Sequence, residues 1–254
     1  MEATSRLSGQ PVCRQCMDSP ALDFDFQMAM QPIVNVATRQ IFAHEALVRG
    51  PSGDSAAPVL AKVHDGNLYR FDQACRTRAI ETASRLEIPA AISINIMPNA
   101  VYKPELCLRT TLQAAQRCQF PLERIIFEIN EAERVQDMSH LRDIVEHYRE
   151  RGFKVAIDDF GAGYAGLNFL AEFDTDIIKL DMALIRHIDR DPKRQIIVRG
   201  ITDICRELDV DVVAEGVEDV DEFRALADFG VELFQGYFFA RPQTDSLPEI
   251  HLPA

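Results

Sequence analysis

The chain has no long hydrophobic run: none approaches the ~18 consecutive apolar residues of a membrane-spanning helix, so no membrane insertion is expected. Its N-terminus lacks the basic-then-apolar order of a secretion signal, which predicts a cytoplasmic protein. Positive charge is scarce. Lys and Arg number 27 against 40 Asp and Glu, a formal net charge of -13, which argues against a nucleic-acid polymer as partner, since its phosphates demand a basic surface. A small anionic ligand stays open if metals and a few Lys or Arg offset the site locally. The six cysteines lack metal-site spacing: Cys13-Arg-Gln-Cys16 is a lone CxxC with no second CxxC or His pair, a weak zinc or redox signal. It reads as part of a reduced arm, with metal shared across a dimer as the alternative. Cys75, Cys107, Cys118 and Cys205 fall in apolar helical patterns and read as small core residues. No GxGxxG turn follows the first strand, so a dinucleotide-binding open sheet is only the second choice of fold.

At 254 residues with 47% hydrophobic content, the chain can bury the core of one barrel-sized domain. Residues 1–20 show no sustained periodicity and read as a flexible N-terminal arm ahead of a domain over 21–254. Residues 31–36 and 41–49 pattern as two strands whose short link permits only an antiparallel pair. Helical stretches near 57–64, 68–87, 105–118, 139–151, 166–172, 192–208 and 219–229 then alternate with apolar runs at 91–95, 125–129, 154–158, 176–180, 211–215 and 231–235. Unalternating strands between helices imply a parallel sheet buried on both faces, and these six with the opening pair make eight. The predicted fold is α/β, a TIM-like (β/α)8 barrel whose first strand is antiparallel to the rest.

Nearly every apolar run ends in a side chain able to hold a metal or a phosphate: Asn95, Glu128, Asp158 with Asp159, Lys179, Glu215 and Gln235. In a parallel barrel those ends meet at one face, where the loops build the active site. Side chains alternate along a strand, so adjacent Asp158 and Asp159 both serve one site only where the strand ends and its backbone turns. An isolated Asp-Asp pair is more often a solvated turn; repetition at the other strand ends points to metal ligands. Glu45, Leu47 and Arg49 share a face of the second strand, so a carboxylate and a guanidinium enter the same mouth. Five carboxylates crowded there repel one another, a conflict that two divalent metals and one lysine resolve.

These residues carry a resemblance to the EAL-domain family of cyclic di-GMP phosphodiesterases. The motif that names the family stands as Glu45-Ala46-Leu47, within Glu45-Ala-Leu-Val-Arg49. Asn95 lies in Ser93-Ile-Asn-Ile-Met-Pro98 and Glu128-Ile-Asn-Glu131 resembles the ExxE element. Asp158-Asp-Phe-Gly-Ala-Gly-Tyr-Ala-Gly-Leu167 resembles the DDFGxGYSSL loop, Lys179-Leu-Asp181 the KxD strand, Ala214-Glu-Gly-Val-Glu218 the AEGVE strand and Gln235-Gly-Tyr-Phe-Phe-Ala-Arg-Pro242 the closing QGYxFxxP. The match runs in order from about residue 22 to 247.

The resemblance implies roles. Glu45, Asn95, Glu128 and Asp158 would hold one metal, with Asp158 bridging to a second held by Asp159 and Glu215; the all-oxygen set implies two Mg2+ or Mn2+ ions. A water shared by the two ions would attack one phosphodiester, giving linear pGpG. Lys179, with Glu215 and Glu45, would be catalytic, Lys179 fixing that water or the attacked phosphate. Arg49 would clamp a phosphate oxygen, while Gln31, Leu47, Asp181 and Gln235 fall at substrate-binding positions. Glu131 would support the loop after the aspartates, against the alternative of a solvated glutamate ahead of a helix. Gly161 and Gly163 mark either a hinge in that loop or positive φ angles in a tight turn. A homodimer is implied, and regulation through the arm, the dimer or a separate sensory or regulatory partner.

The chain departs from the family pattern at Ala162-Gly-Tyr-Ala-Gly166, which loses three hydroxyls, at Met97 and at Gly50. His44 neighbours Glu45 on the opposite face and reads as packing. His140, His147 and His187 read as solvated, and Tyr164, Tyr237 and Phe238 as barrel filling rather than stacking platforms. Two other classes stay open: a catalytically weak or inactive EAL domain that acts as a cyclic di-GMP receptor, and a protein-interaction module whose carboxylates are relics.

Overall fold

A computed structural model describes residues 21–101, 103–131, 137–163 and 166–253; the CxxC of the expected arm and Tyr164 lie outside the described residues. The chain opens with β1 (Gln27–Asn35) and β2 (Gln40–Arg49). Their link is a tight turn in which Asn35 Oδ1 accepts the Thr38 N–H at 2.8 Å and Arg39 adopts a left-handed φ of 56°. They pair antiparallel from Gln27↔Arg49 to Asn35↔Gln40. Alternation follows: α1 (Ala57–Leu60), α2 (Leu68–Arg85), β3 (Ala91–Ile96), α3 (Pro104–Cys107), α4 (Arg109–Cys118), β4 (Ile125–Asn130), α5 (Met138–Glu150), β5 (Lys154–Phe160), α6 (Gly166–Glu172), β6 (Ile177–Leu180), α7 (Met182–Ile185), α8 (Pro192–Glu207), β7 (Asp211–Ala214), α9 (Val220–Asp228) and β8 (Leu233–Phe234). Helix starts follow local chemistry: Asp137, Asp191 and Asp219 each accept two backbone N–H groups in the first turn of α5, α8 and α9, and Pro192 opens α8.

Strands β2 to β8 pair in parallel in chain order, and β1 pairs antiparallel with both β2 and β8, closing the barrel. The expected TIM-like barrel with a reversed first strand is therefore what forms. Sequence periodicity did not register β9 (Gln243–Thr244), which adds to β1 at Ala29 and Met30: two residues carry no period. Nor did it register the break at Leu108 that divides the expected 105–118 helix. Past β9, which pairs with β1, the C-terminal segment lies against the barrel. Leu247, Ile250 and Leu252 pack on the core, the His251 N–H donates to Phe239 O at 2.9 Å, and Arg39 Nη1 donates to Pro253 O at 3.0 Å. Among the described residues no helix is long and apolar enough to cross a membrane.

Apolar side chains form two compartments. The larger lies between barrel wall and helices, where Phe127, Tyr148 and Phe153 pack with centroids 4.8 to 6.2 Å apart. The smaller plugs the barrel: Ile33, Ala43, Ile126, Ala156, Ile177, Val213 and Leu233, one from each of seven strands. Two residues on along each strand, toward the rim, the same inward face carries Gln31, Glu45, Glu128, Asp158, Lys179, Glu215 and Gln235; on the reversed β1 that direction runs toward lower numbers. Period-two geometry thus stacks a polar ring on an apolar floor.

Rim loops leave little room. A Cβ on Gly236 would lie 2.0 Å from Val217 O and 2.4 Å from Val217 N. That backbone is pinned by Val217 N–H to Gln235 O at 3.1 Å and Phe238 N–H to Val217 O at 3.0 Å. Gly236→Ala is expected to destabilise the fold by about 3 kcal/mol, read as a lower urea midpoint at unchanged slope; an unchanged midpoint would refute this packing.

Candidate active site

Strand β5 solves the problem of two adjacent aspartates differently from the sequence expectation. The strand does not end at Asp158 but continues to Phe160. Its register against β6 passes from Ile157↔Ile178 to Phe160↔Leu180, so one extra residue bulges out between them, and Asp159 takes a left-handed φ of 55°. A bulge locally breaks the alternation, and aspartate tolerates that backbone region better than most residues. Both carboxylates therefore border the mouth.

At the centre stands Lys179, 1% exposed. Its Nζ lies 2.5 Å from Glu215 Oε1, 2.8 Å from Glu128 Oε1, 3.0 Å from Asp158 Oδ1 and 3.4 Å from Glu45 Oε2. Amides and a hydroxyl hold the carboxylates from the sides. Asn95 Nδ2 donates to Glu45 Oε1 at 2.9 Å and Gln235 Nε2 to Glu45 Oε2 at 2.7 Å. Ser93 Oγ donates to Glu128 Oε1 at 2.6 Å, and Asn130 Nδ2 donates to Asp159 Oδ2. Ser93 and Asn130 were not singled out in the sequence. The available signal was their spacing, two residues before Asn95 and two after Glu128, on the same strand faces.

Burial dominates the electrostatics. It pushes Glu128 well above the usual carboxylate value, reinforced by Glu45 and Asp158 against the pull of Lys179. It does the same to Glu215, again opposed by Lys179 and reinforced by Asp158 and Glu45. Asp159 is raised by burial and by Asp158. Glu45 goes the other way: burial would raise it, but Lys179 and the bonds from Gln235 and Asn95 hold it below its usual value. Burial would lower Lys179, yet Asp158, Glu128, Glu215 and Glu45 together keep it well above 10.5. The ammonium stays charged.

Fully ionised, five carboxylates and one ammonium leave four negative charges, the amount two divalent ions neutralise. The donor set fits such ions. Asp158, Asp159 and Glu215 each offer an oxygen, all within 4.8 Å of one another. Glu128 Oε2 is buried with no hydrogen-bond partner among the described residues, and every donor is a hard oxygen. Above the ring opens a cavity of about 430 Å³, whose lining includes Gln31, Asp181, Met182, Glu218, Gln235 and Tyr237.

Other expected residues sit less simply. Asn95 is exposed near the end of β3 and does not itself border the cavity, reaching the site through its bond to Glu45. Leu47 and Arg49 do not border the cavity; the Arg49 guanidinium turns back to Val48 O at 2.7 Å, so clamping a phosphate requires another rotamer. Glu131 is buried and bonds both ends of the loop, Oε2 accepting from Gly161 N–H at 2.7 Å and Oε1 from Gly166 N–H at 2.6 Å; a solvated glutamate does not describe it. Gly161 has a positive φ of 97°, and a Cβ on Gly163 would come within 2.9 Å of Glu131 Oε1. His44 is buried and pushed down to about 4 by burial, in keeping with packing. His140 and His147, expected in solvent, are half-buried, the former with its Nε2 against Val101 O. Tyr237 is half-exposed rather than filling the barrel, while Phe238 stacks on Phe223.

Because the folded state keeps protons on Glu128 and Glu215 that the unfolded chain releases above pH about 4.5, stability in EDTA is expected to fall as pH rises from there. Added Mg2+ or Mn2+ is expected to reverse the trend, since metal competes with those protons. Melting curves at pH 6 and 8 with and without metal decide it; a metal-free protein equally stable at both would contradict the assignment. Lys179→Met removes the cation that faces four carboxylates and is expected to cost about 3–5 kcal/mol in EDTA, with much of the loss recovered by Mn2+; urea unfolding with and without Mn2+ measures both.

The profile of the EAL domain matches residues 20–242. A c-di-GMP-bound crystal structure of a standalone versatile EAL protein from Vibrio cholerae O395 superimposes with TM-score 0.88 at 53% identity, covering 91% of this chain and 98% of that one. A manganese/cy-diGMP complex of Klebsiella pneumoniae BlrP1 gives TM-score 0.85 at 33% identity, covering 91% of this chain and 60% of that one. Among curated relatives, the blue light- and temperature-regulated antirepressor BluF of Escherichia coli (strain K12) is 32% identical over 94% of this chain and 59% of its own length. The cyclic di-GMP phosphodiesterase PdeB of Shewanella oneidensis is 32% identical over 60% of this chain and 18% of its own length. The chain thus spans less than two thirds of either curated relative. With the family's profile spanning nearly all of the barrel, and the barrel itself superimposing on solved EAL proteins, this chain belongs to the EAL domain family.

Proposed function

We propose that the barrel hydrolyses cyclic di-GMP to linear pGpG with magnesium or manganese. The observation that carries this reading is the complete ring of oxygen donors around Lys179, which when ionised is left with four uncompensated negative charges, at the floor of a cavity open to solvent. The V. cholerae and K. pneumoniae structures that hold cyclic di-GMP support the ligand, and the PdeB relative supports the reaction.

Glu45, Asn95, Glu128 and Asp158 would hold one ion; Asp158, Asp159 and Glu215 would hold the other. When bound, such ions supply positive charge to the reacting phosphate and bring the pKa of water toward neutrality. Lys179 stays protonated, so it serves as a hydrogen-bond donor and fixed charge for the attacking water or the phosphate oxygens rather than as a base. Gln235 and Asn95 orient Glu45, and Ser93 orients Glu128. A water oxygen bonds to phosphorus, the bond to one ribose 3′ oxygen breaks, and a water proton ends on that leaving oxygen. Gln31, Asp181 and Gln235 face the ring's phosphates or bases, joined by Arg49 once its guanidinium turns outward. The reading includes a cytoplasmic homodimer, with residues 21–254 as the catalytic unit and regulation through residues 1–20 or a separate partner.

The second reading, a receptor that binds cyclic di-GMP without cutting it, draws on the antirepressor among the relatives. Incubation with cyclic di-GMP and Mn2+ separates the two. Linear pGpG is expected, abolished by EDTA and reduced at least about 100-fold by Glu45→Ala. Tight binding with no turnover would favour the receptor, and turnover indifferent to both treatments would sink the metal-dependent reading.

A further inference from the structure

Behind the rim of β3 lies a buried ion pair that the reaction above does not use. Asp72 and Arg76, one turn apart on α2, are 2% and 0% exposed and bridge each other directly. A pair at this spacing ordinarily decorates a solvated helix face. Buried, it carries a desolvation cost for both ions that their attraction does not dependably offset. Its geometry indicates what it achieves. Asp72 Oδ1 accepts the N–H of Met97 at 3.1 Å, and Met97 is the first residue past β3. Arg76 Nη1 reaches Tyr148 Oη on α5 at 3.4 Å, and that ring packs at 4.8 Å on Phe127, the residue before Glu128.

We propose that Asp72 is a positioning residue for the ion site: by holding the Met97 N–H it fixes the end of β3, and with it the direction in which Asn95 enters the mouth. Asn95 needs such help because it is exposed, without the packing that locks Glu128 or Lys179. Its Nδ2 is committed to Glu45, and the direction of its amide oxygen follows from the backbone two residues before the Asp72 contact. Arg76 keeps the Asp72 carboxylate aimed at that contact, and through Tyr148 ties the same bolt to β4. Supporting shells of this kind commonly govern metal affinity without touching the metal. The inference rests on the assignment of Asn95 to the ion site made above.

Two double variants test it, both removing the charges together so that no buried ion is stranded. Asp72→Ala with Arg76→Met leaves the Met97 N–H without an acceptor, whereas Asp72→Asn with Arg76→Met retains one. Calorimetric titration of each protein with Mn2+ is expected to show a dissociation constant roughly ten-fold higher for the Ala/Met pair, and within about two-fold of the parent for the Asn/Met pair. Equal weakening in both, or none in either, would overturn the proposal. Asn95→Ala is the reference. If it leaves Mn2+ binding unchanged, the site assignment itself is wrong and this inference falls with it; if it weakens binding while the Ala/Met pair does not, this inference alone is wrong. Should the Ala/Met protein fail to fold, hydrogen exchange in the parent serves: the Met97 N–H is expected to exchange more slowly with Mn2+ bound, and unchanged exchange there would overturn the proposal.

Discussion

One ammonium group organises the mouth of this barrel. Lys179 sits within 3.4 Å of four carboxylates, three from β2, β4 and β5 and one just past the end of β7, and nothing else of positive charge approaches them as closely among the described residues. A buried charge survives only when paired, and a buried cluster of like charges only when something opposes it. Lys179 meets both conditions in part: it satisfies itself completely and its neighbours incompletely. The deficit appears where burial lifts Glu128 and Glu215 toward protonation. Divalent ions taken up there would displace those protons, so their affinity would depend on pH.

The ring follows from the repeat of the strand. Each strand that supplies an apolar residue to the plug supplies a polar one two positions nearer the rim, so the floor that stabilises the barrel also sets the height of the donors above it. At the rim β5 departs from this repeat, by a bulge that brings Asp159 beside Asp158. The loop that follows is tied at both ends by Glu131, so the added residue does not loosen the rim. Asp72 and Arg76 extend the same logic outward: a helix behind the wall holds the strand end that bears the most exposed donor.

Much of this was legible in the sequence, because the signals are short-range. Alternating helical and apolar segments specified the barrel, the short link after β1 specified its reversed strand, and polar residues closing apolar runs specified the ring. What escaped were features set by three-dimensional neighbours. Ser93 looks like any small strand residue until Glu128 stands 2.6 Å away. Asp72 and Arg76 look like a solvated pair until helices close over them. The bulge at Asp159 leaves no periodic trace, and the turn of Arg49 toward Val48 O is a rotamer that no pattern encodes. His140 and His147 sit in one charged helix, α5, yet both are half-buried.

The central claim is that these oxygens gather around a pair of divalent ions. A crystal grown in manganese and measured at the metal's absorption edge tests it most directly. Two anomalous peaks are predicted, one contacting Glu45, Asn95, Glu128 and Asp158, the other Asp158, Asp159 and Glu215. A mouth without manganese, with Lys179 still bridging all four carboxylates, would contradict the account.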